Sequence, residues 1–297
     1  MAGAAAGHVL LVNASAGSAE DDAVAAAART LRAAGDAVEV RACTDPDDVD
    51  GVVADLAGRT LVVCGGDGSL HVAVGRLRAT GRLDVPVALL PLGTGNDFAW
   101  AVDLPLEDPA EAARRVLAAT PRPMDLLVEV GGERVCVNAL HAGLGAAAAE
   151  RAETLKAALS DLAYPVGALL AGLTEAGTDV RVTVDGRPVA DGPTLLVAVC
   201  NGPGFGGGAL VAPDADPADG LLDVVVSQAT GPLERAAFGL ALQRGTHLER
   251  DDVVLARGRE VTIEGDGLRD DVDGELGEPT DAPRTWRVEP GAWTFVG

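Results

Sequence analysis

The sequence predicts a two-part α/β protein: an N-terminal domain built on a parallel sheet, then a mainly antiparallel β-sandwich. Three observations carry that reading. Short apolar runs alternate with helical patterns through the first third of the 297 residues, as expected of strands joined by helical crossovers. Thr120-Pro121-Arg122-Pro123 then punctuates the chain. Beyond it, Gly131-Gly132 and Asp185-Gly186 supply pairs suited to tight hairpins. The predicted domains are therefore 1–123 and 124–297, with the last strands free to return to the first domain.

In chain order, His8 to Val12 reads as a strand and Ser18 to Ala34 as its helix. Ala37 to Cys43 with Pro46 to Leu56, and Leu61 to Cys64 with Ser69 to Ala79, repeat the pair. Val85 to Leu90 is followed by a helix after Gly95, and a further helix covers Asp108 to Ala119. In the second part, Val128 to Val137 reads as two strands and Val180 to Val189 as a hairpin. Strands follow at Thr194 to Cys200, Leu221 to Ser227, Val253 to Ala256, Glu260 to Ile263, Thr285 to Val288 and Trp293 to Val296. Helical inserts are expected near Ala146 to Ala171 and Pro232 to Gln243.

Composition narrows the function classes. With 48% hydrophobic residues the chain can fill a core in each domain. A formal charge of -22 argues against a nucleic-acid partner and against electrostatic attraction to anionic lipid. Lysine occurs once, at Lys156, so no Gly-x-x-x-x-Gly-Lys-Ser/Thr loop exists. Cysteines 43, 64, 136 and 200 form no Cys-x-x-Cys pair and read as reduced, buried side chains of a cytoplasmic protein. Met1 to Asn13 lacks the basic region of a secretory signal. The apolar stretch Ala163 to Leu173 is too short to span a bilayer and contains Pro165. The chain reads as soluble or, at most, peripheral.

Two loops carry the chemistry. Leu61 to Cys64 runs into Gly65-Gly66-Asp67-Gly68-Ser69 and resumes as a helix. Glycines 65, 66 and 68 can take positive φ and leave no Cβ in the way, so that successive N–H groups can hold a phosphate at a helix N-terminus. A carboxylate beside phosphate calls for a cation or a donor group, and so gives Asp67 a reason to be there, with metal-nucleotide chemistry the favoured one. The second loop, Pro91-Leu92-Gly93-Thr94-Gly95-Asn96-Asp97-Phe98, read alone, is a capped strand-to-helix connection with Asn96 or Asp97 as N-cap. Paired with the first at neighbouring strand ends, it makes a polar cleft the better account.

Together these motifs resemble the diacylglycerol kinase catalytic family, the soluble lipid kinases that include bacterial diacylglycerol kinases and the sphingosine and ceramide kinases. Phosphofructokinases and NAD kinases share the first motif but not the second in this form. The resemblance implies ATP as phosphoryl donor with Mg²⁺. It places nucleotide contacts at Asn13, Ser15 and Gly17, with Ala14 where the family has proline, and at Thr44. It adds Gly65, Gly66, Asp67, Gly68 and Ser69, then Thr94 and Asn96; His71-Val72 replaces the family's Asn-Glu. In the family Asp219 would bind magnesium with the carbonyls of Asp216 and Leu221, although an ordinary Asp/Gly/Pro turn explains the same residues. Asp273-Gly274-Glu275, otherwise a hairpin tip, would supply Glu275 as general base, with Asp67 and Asp97 organising the metal-nucleotide and the acceptor hydroxyl, and Asp125 supporting them.

The expected activity is ATP-dependent phosphorylation of diacylglycerol or a related neutral lipid at the inner membrane face. The alternatives are another acceptor on the same fold (a sphingoid base, phosphatidylglycerol or NAD) and a catalytically silent nucleotide-binding regulator. Apolar helices over Leu155 to Leu173 are the expected lipid-pocket lining. Membrane contact is assigned to bridging divalent cations or to Arg114, Arg115 and Arg122. Oligomeric state stays open, a homodimer included.

Overall fold

The computed structural model describes residues 7–14, 18–143 and 177–297. The chain divides into two compact units, Met1–Asp125 with Pro290–Gly297, and Leu126–Glu289.

The first unit is a parallel sheet of β1 (Gly7–Asn13), β2 (Ala37–Cys43), β3 (Thr60–Gly65) and β4 (Pro86–Pro91), in the order β2-β1-β3-β4. The end of the last strand, β16 (Arg284–Phe295), runs parallel beside β4 through Thr294 and Phe295. Crossovers are helical: α1 (Ser18–Ala33), α2 (Pro46–Ala54), α3 (Asp67–Ala79), α4 (Asp97–Ala101) and α5 (Pro109–Ala118). Asp45 and Asp108 each cap a helix that begins with proline, satisfying N–H groups that have no partner within the helix. Leu10, Val62, Cys64, Ala88 and Leu90 pack under α1 and α5. Their chain neighbours Leu61, Val63 and Leu89 are equally buried and by alternation face the other side. A sheet covered on both faces accounts for the unbroken apolar runs in its sequence.

The second unit holds β5 (Arg122–Glu129) from Leu126 on, β6 (Val135–Cys136), β7 (Ala139–Ala142), β8 (Thr178–Val184), β9 (Arg187–Thr194), β10 (Leu196–Cys200), β11 (Leu222–Ser227), β12 (Val253–Gly258), β13 (Glu260–Glu264), β14 (Asp270–Val272), β15 (Glu275–Leu276) and the first half of β16. A six-stranded antiparallel sheet runs β12-β11-β10-β7-β14-β15. Val180, Val182, Val261, Ile263 and Trp286 pack against Leu140, Val197, Val199, Val224 and Val272 of that sheet, making a sandwich. Its other face packs on α6 (Pro232–Gln243) through Ala198, Cys200, Val225, Phe238 and Leu242.

The predicted strands need revision in two places. The segments at Thr285 and Trp293 are one twelve-residue strand, in which Gly291 keeps a positive φ of 60° and donates its N–H to Asp125 Oδ1 at 2.8 Å. Pro121 and Pro123 flank Arg122, the first residue of β5, and the two units divide a little further on, after Asp125. Strand β7 has no counterpart in the sequence reading, and β14 and β15 are the short arms of the hairpin whose tip was read at Asp273-Gly274-Glu275. The helical insert expected over Ala146 to Ala171, and the lipid-pocket helices within it, lie outside the described residues.

Candidate active site

The register of the first sheet puts four strand ends on one edge. Asn13 is level with Cys43, Val12 with Cys64, and Gly65 with Pro91. The loops carrying Asn13, Thr44, Gly65 to Ser69 and Leu92 to Asp97 therefore share the carboxyl edge of the sheet, where open α/β folds bind ligands. Ser15 and Gly17 lie outside the described residues. Thr44 is exposed, and its N–H donates to Asp48 Oδ2 at 2.7 Å.

The two glycine loops touch. A Cβ on Gly93 would come 2.5 Å from Gly66 Cα, and one on Gly66 would come 2.9 Å from Gly93 Cα. Only glycine at both positions permits that approach. Leu92 N–H donates to Gly65 O at 3.0 Å beside the contact. Asp67 completes the join: Oδ2 accepts the Asp97 N–H and Oδ1 the Phe98 N–H, both at 2.9 Å. These are first-turn donors of α4, and an acid there also meets the positive end of the helix dipole. Asn96 closes the second loop on itself, with Oδ1 accepting from Gly93 N–H at 3.1 Å and Nδ2 donating to Gly93 O at 2.6 Å.

This geometry corrects the expected reason for the glycines. Gly65, Gly66 and Gly68 do not have positive φ, and the left-handed residue is Asn96, at φ 53°. Close approach explains Gly66 and Gly93, and the Ser69 side chain lies where a Cβ on Gly65 would be. Gly68 differs. It is an exposed first-turn residue of α3, and a Cβ there would meet nothing within 4 Å among the described residues. Gly66, the N-cap of α3, offers no side-chain cap. The start of α3 thus has neither a side-chain cap nor a described neighbour over Gly68, room that suits a phosphate at a helix N-terminus.

Asp97 is buried and Thr94 exposed, on the same loop. Asp125 is buried; besides Oδ1, its carbonyl accepts from Trp293 Nε1 at 3.0 Å. It holds the returning strand. The three arginines expected at a membrane are engaged: Arg114 with Glu111 and Asp108, Arg115 with Asp103, and Arg122 over the Phe295 ring.

In the second unit, Glu275 is exposed on β15, beyond a turn in which Asp273 and Gly274 have φ of 50° and 92°. Asp216, Asp219 and Leu221 form one loop, and its carboxylate is engaged within the chain. Asp219 N–H donates to Asp216 O at 3.3 Å, and Asp219 Oδ1 accepts from Leu221 N–H at 2.9 Å. Asp219 Oδ2 pairs with Arg257 Nη2, and Arg257 Nε reaches Asp223 Oδ1 at 3.0 Å. Arg257 thus pairs with the carboxylate that was expected to bind magnesium. Among the described residues no group of three or more His, Cys, Asp or Glu could hold a metal. Burial pushes the Asp223 carboxyl upward, opposed by Arg257. Sequence reasoning missed Arg257, which only the β11–β12 register brings opposite Asp223.

Two family models match the chain: the diacylglycerol kinase catalytic domain over residues 8–128, and the YegS C-terminal NAD kinase beta sandwich-like domain over 138–297. A Pseudomonas aeruginosa protein named "Probable lipid kinase YegS-like" is 36% identical over 282 residues, 91% of this chain and 87% of its own length. A diacylglycerol kinase of Mycobacterium tuberculosis is 29% identical over 226 residues, 75% of this chain and 72% of its own. Among solved structures, a diacylglycerol kinase from Bacillus anthracis has a TM-score of 0.71 at 20% identity, covering 97% of this chain and 96% of that one. An NAD kinase from Archaeoglobus fulgidus in complex with ATP has a TM-score of 0.56 at 12% identity, covering 98% and 93%. Likeness at such identity speaks for the fold alone.

Proposed function

The chain belongs to the lipid kinase family defined by the diacylglycerol kinase catalytic domain and the YegS-type C-terminal domain, and from that premise we propose that it transfers the γ-phosphoryl group of ATP to the hydroxyl of diacylglycerol. The product is phosphatidic acid. The observation that carries the nucleotide half is the join of the two glycine loops at the start of α3, with open space over Gly68. The M. tuberculosis relative's name and the ATP complex of the A. fulgidus neighbour support donor and acceptor class.

In this reading the N–H groups at the start of α3 hold phosphate oxygens. Asp67 works as a strut, holding the second loop against the first. The acceptor oxygen forms a bond to the γ-phosphorus as the bond from that phosphorus to the β,γ-bridging oxygen breaks, and ADP leaves. Glu275 takes the hydroxyl proton, a contribution typically worth ~10²–10⁴-fold. Magnesium accompanying ATP supplies charge neutralisation at the phosphates. No helix among the described residues is long and apolar enough to cross a membrane, so access to lipid is assigned to peripheral contact at the inner membrane face.

Labelled ATP incubated with diacylglycerol, sphingosine, phosphatidylglycerol and NAD tests the acceptor. Label on diacylglycerol is expected, and label confined to any other acceptor overturns that assignment. Glu275→Ala should abolish transfer while ATP binding by calorimetry stays within about twofold, ~0.4 kcal/mol. An active variant would remove Glu275 from the role of base.

A further inference from the structure

Glu275 sits where a sheet does least to hold a side chain. Its strand, β15, is two residues long and, among the described residues, stands at the edge of the six-stranded sheet beside β14. An edge pair this short gives little ladder to fix an orientation. The turn before it is held from elsewhere. Asp273 Oδ2 accepts the Val137 N–H at 2.6 Å, and Oδ1 accepts those of Asn138 and Ala139 at 2.9 and 3.0 Å. The Cys136 thiol donates to Oδ1 at 3.5 Å, and Asp273's own N–H donates to Ala139 O at 3.0 Å.

The receiving segment is itself fixed. Asn138 Nδ2 donates to Gly204 O and Asn201 Nδ2 to Val137 O, each at 2.7 Å, while Asn201 and Gly202 N–H groups donate to Asn138 O. The carboxylate of Asp273 thus ties a two-residue turn to a buried network over 130 residues away in sequence. Charge-assisted bonds from several backbone donors define position more firmly than one neutral bond.

We propose that Asp273 is the positioning residue for Glu275: by clamping the Asp273-Gly274 turn to residues 137–139 it sets where the Glu275 carboxylate stands. This rests on the reading of Glu275 as the base. The chain supplies its own control. Asp185, at φ 47° in the Asp185-Gly186 turn, accepts the Arg259 and Glu260 N–H groups at 3.0 Å each, the same device with Arg187 following instead of a glutamate.

Asp273→Asn, Asp185→Asn and Glu275→Gln are compared with the full chain for Tm, kcat, KM and the pH profile of kcat. Both aspartate variants should lose some Tm. Only Asp273→Asn should lose kcat, by about 10²-fold if the base is displaced by about 1 Å, with both KM values within about twofold and the acid limb of its pH profile moved. Asp273→Ser, retaining one acceptor, serves if the Asn variant does not fold. Inactive Glu275→Gln together with a wild-type kcat in the Asp273 variant overturns the inference. Equal kcat losses in Asp273→Asn and Asp185→Asn overturn it too. Full activity in Glu275→Gln instead removes the base assignment, and the positioning role falls with it.

Discussion

Gly93→Ala and Gly68→Ala separate two reasons for glycine in these loops. A Cβ at position 93 would stand 2.5 Å from Gly66 Cα, 3.0 Å from Asn96 Oδ1 and 3.1 Å from Gly66 N. Carbon atoms prefer about 3.5–4.0 Å, so the backbones must part by about 1 Å. They are tied by the Leu92 to Gly65 hydrogen bond and by the Asp67 strut, which leaves no flexible side chain to yield. Overpacking of this kind costs about 1–3 kcal/mol, and at roughly 2–4 °C per kcal/mol a loss near the upper end lowers Tm by about 6–12 °C. At Gly68 the added methyl meets nothing within 4 Å, and alanine is the better helix former by up to about 1 kcal/mol. Thermal unfolding should therefore find Gly68→Ala as stable as wild type or slightly more so. If phosphate sits over that helix start, the same methyl displaces an N–H contact to a charged group. Such a contact contributes about 1.5–3 kcal/mol, or roughly 10–100-fold in ATP affinity by calorimetry. Wild-type ATP affinity in Gly68→Ala refutes the phosphate site, and an unshifted Tm in Gly93→Ala refutes the loop contact.

Two further outcomes follow from the second unit. Without nucleotide, chelation by EDTA should leave the wild-type Tm unmoved, whereas Arg257→Gln, stripping the cation from Asp219 and buried Asp223, should cost about 1–3 kcal/mol after allowance for the half-exposed arginine; stabilisation of wild type by Mg²⁺ alone would contradict this. Burial lowers the pKa of His141 from its ordinary 6.5, against the opposing pull of Asp271 and Asp270, so the fold resists a proton that the unfolded chain accepts. Stability from this group is complete above about pH 6.5 and declines as the pH falls below it. His141→Phe retains a ring against Phe205, whose centroid lies 4.8 Å away, and should flatten that decline in Tm scans between about pH 7 and 5; an identical slope in the variant would refute the assignment.

What the sequence discloses depends on how far away a residue's partner lies. The parallel sheet is legible because each strand is an apolar run buried on both faces, and because Asp45-Pro46 and Asp108-Pro109 announce helix starts locally. Strand β14 is not legible: Asp270-Asp271-Val272 has the composition of a loop. It is a strand because it pairs with β7, and its buried Asp270 is bound by Arg134, 136 residues earlier, and by Arg284. The site divides along the same line. The glycine loops leave a local trace, although close approach of Gly66 to Gly93, and not positive φ, is its cause. The acids leave none. A carboxylate in the sequence looks alike whether it meets backbone N–H groups, a guanidinium or a metal. Asp67 meets the N–H groups of α4, Asp219 meets Arg257, and Asp273 meets residues 137–139. Within one glycine-turned motif the acids thus divide the work: Asp273 is bound into the fold on several sides, and that binding is what allows the neighbouring Glu275 to stand exposed at a sheet edge in a fixed place.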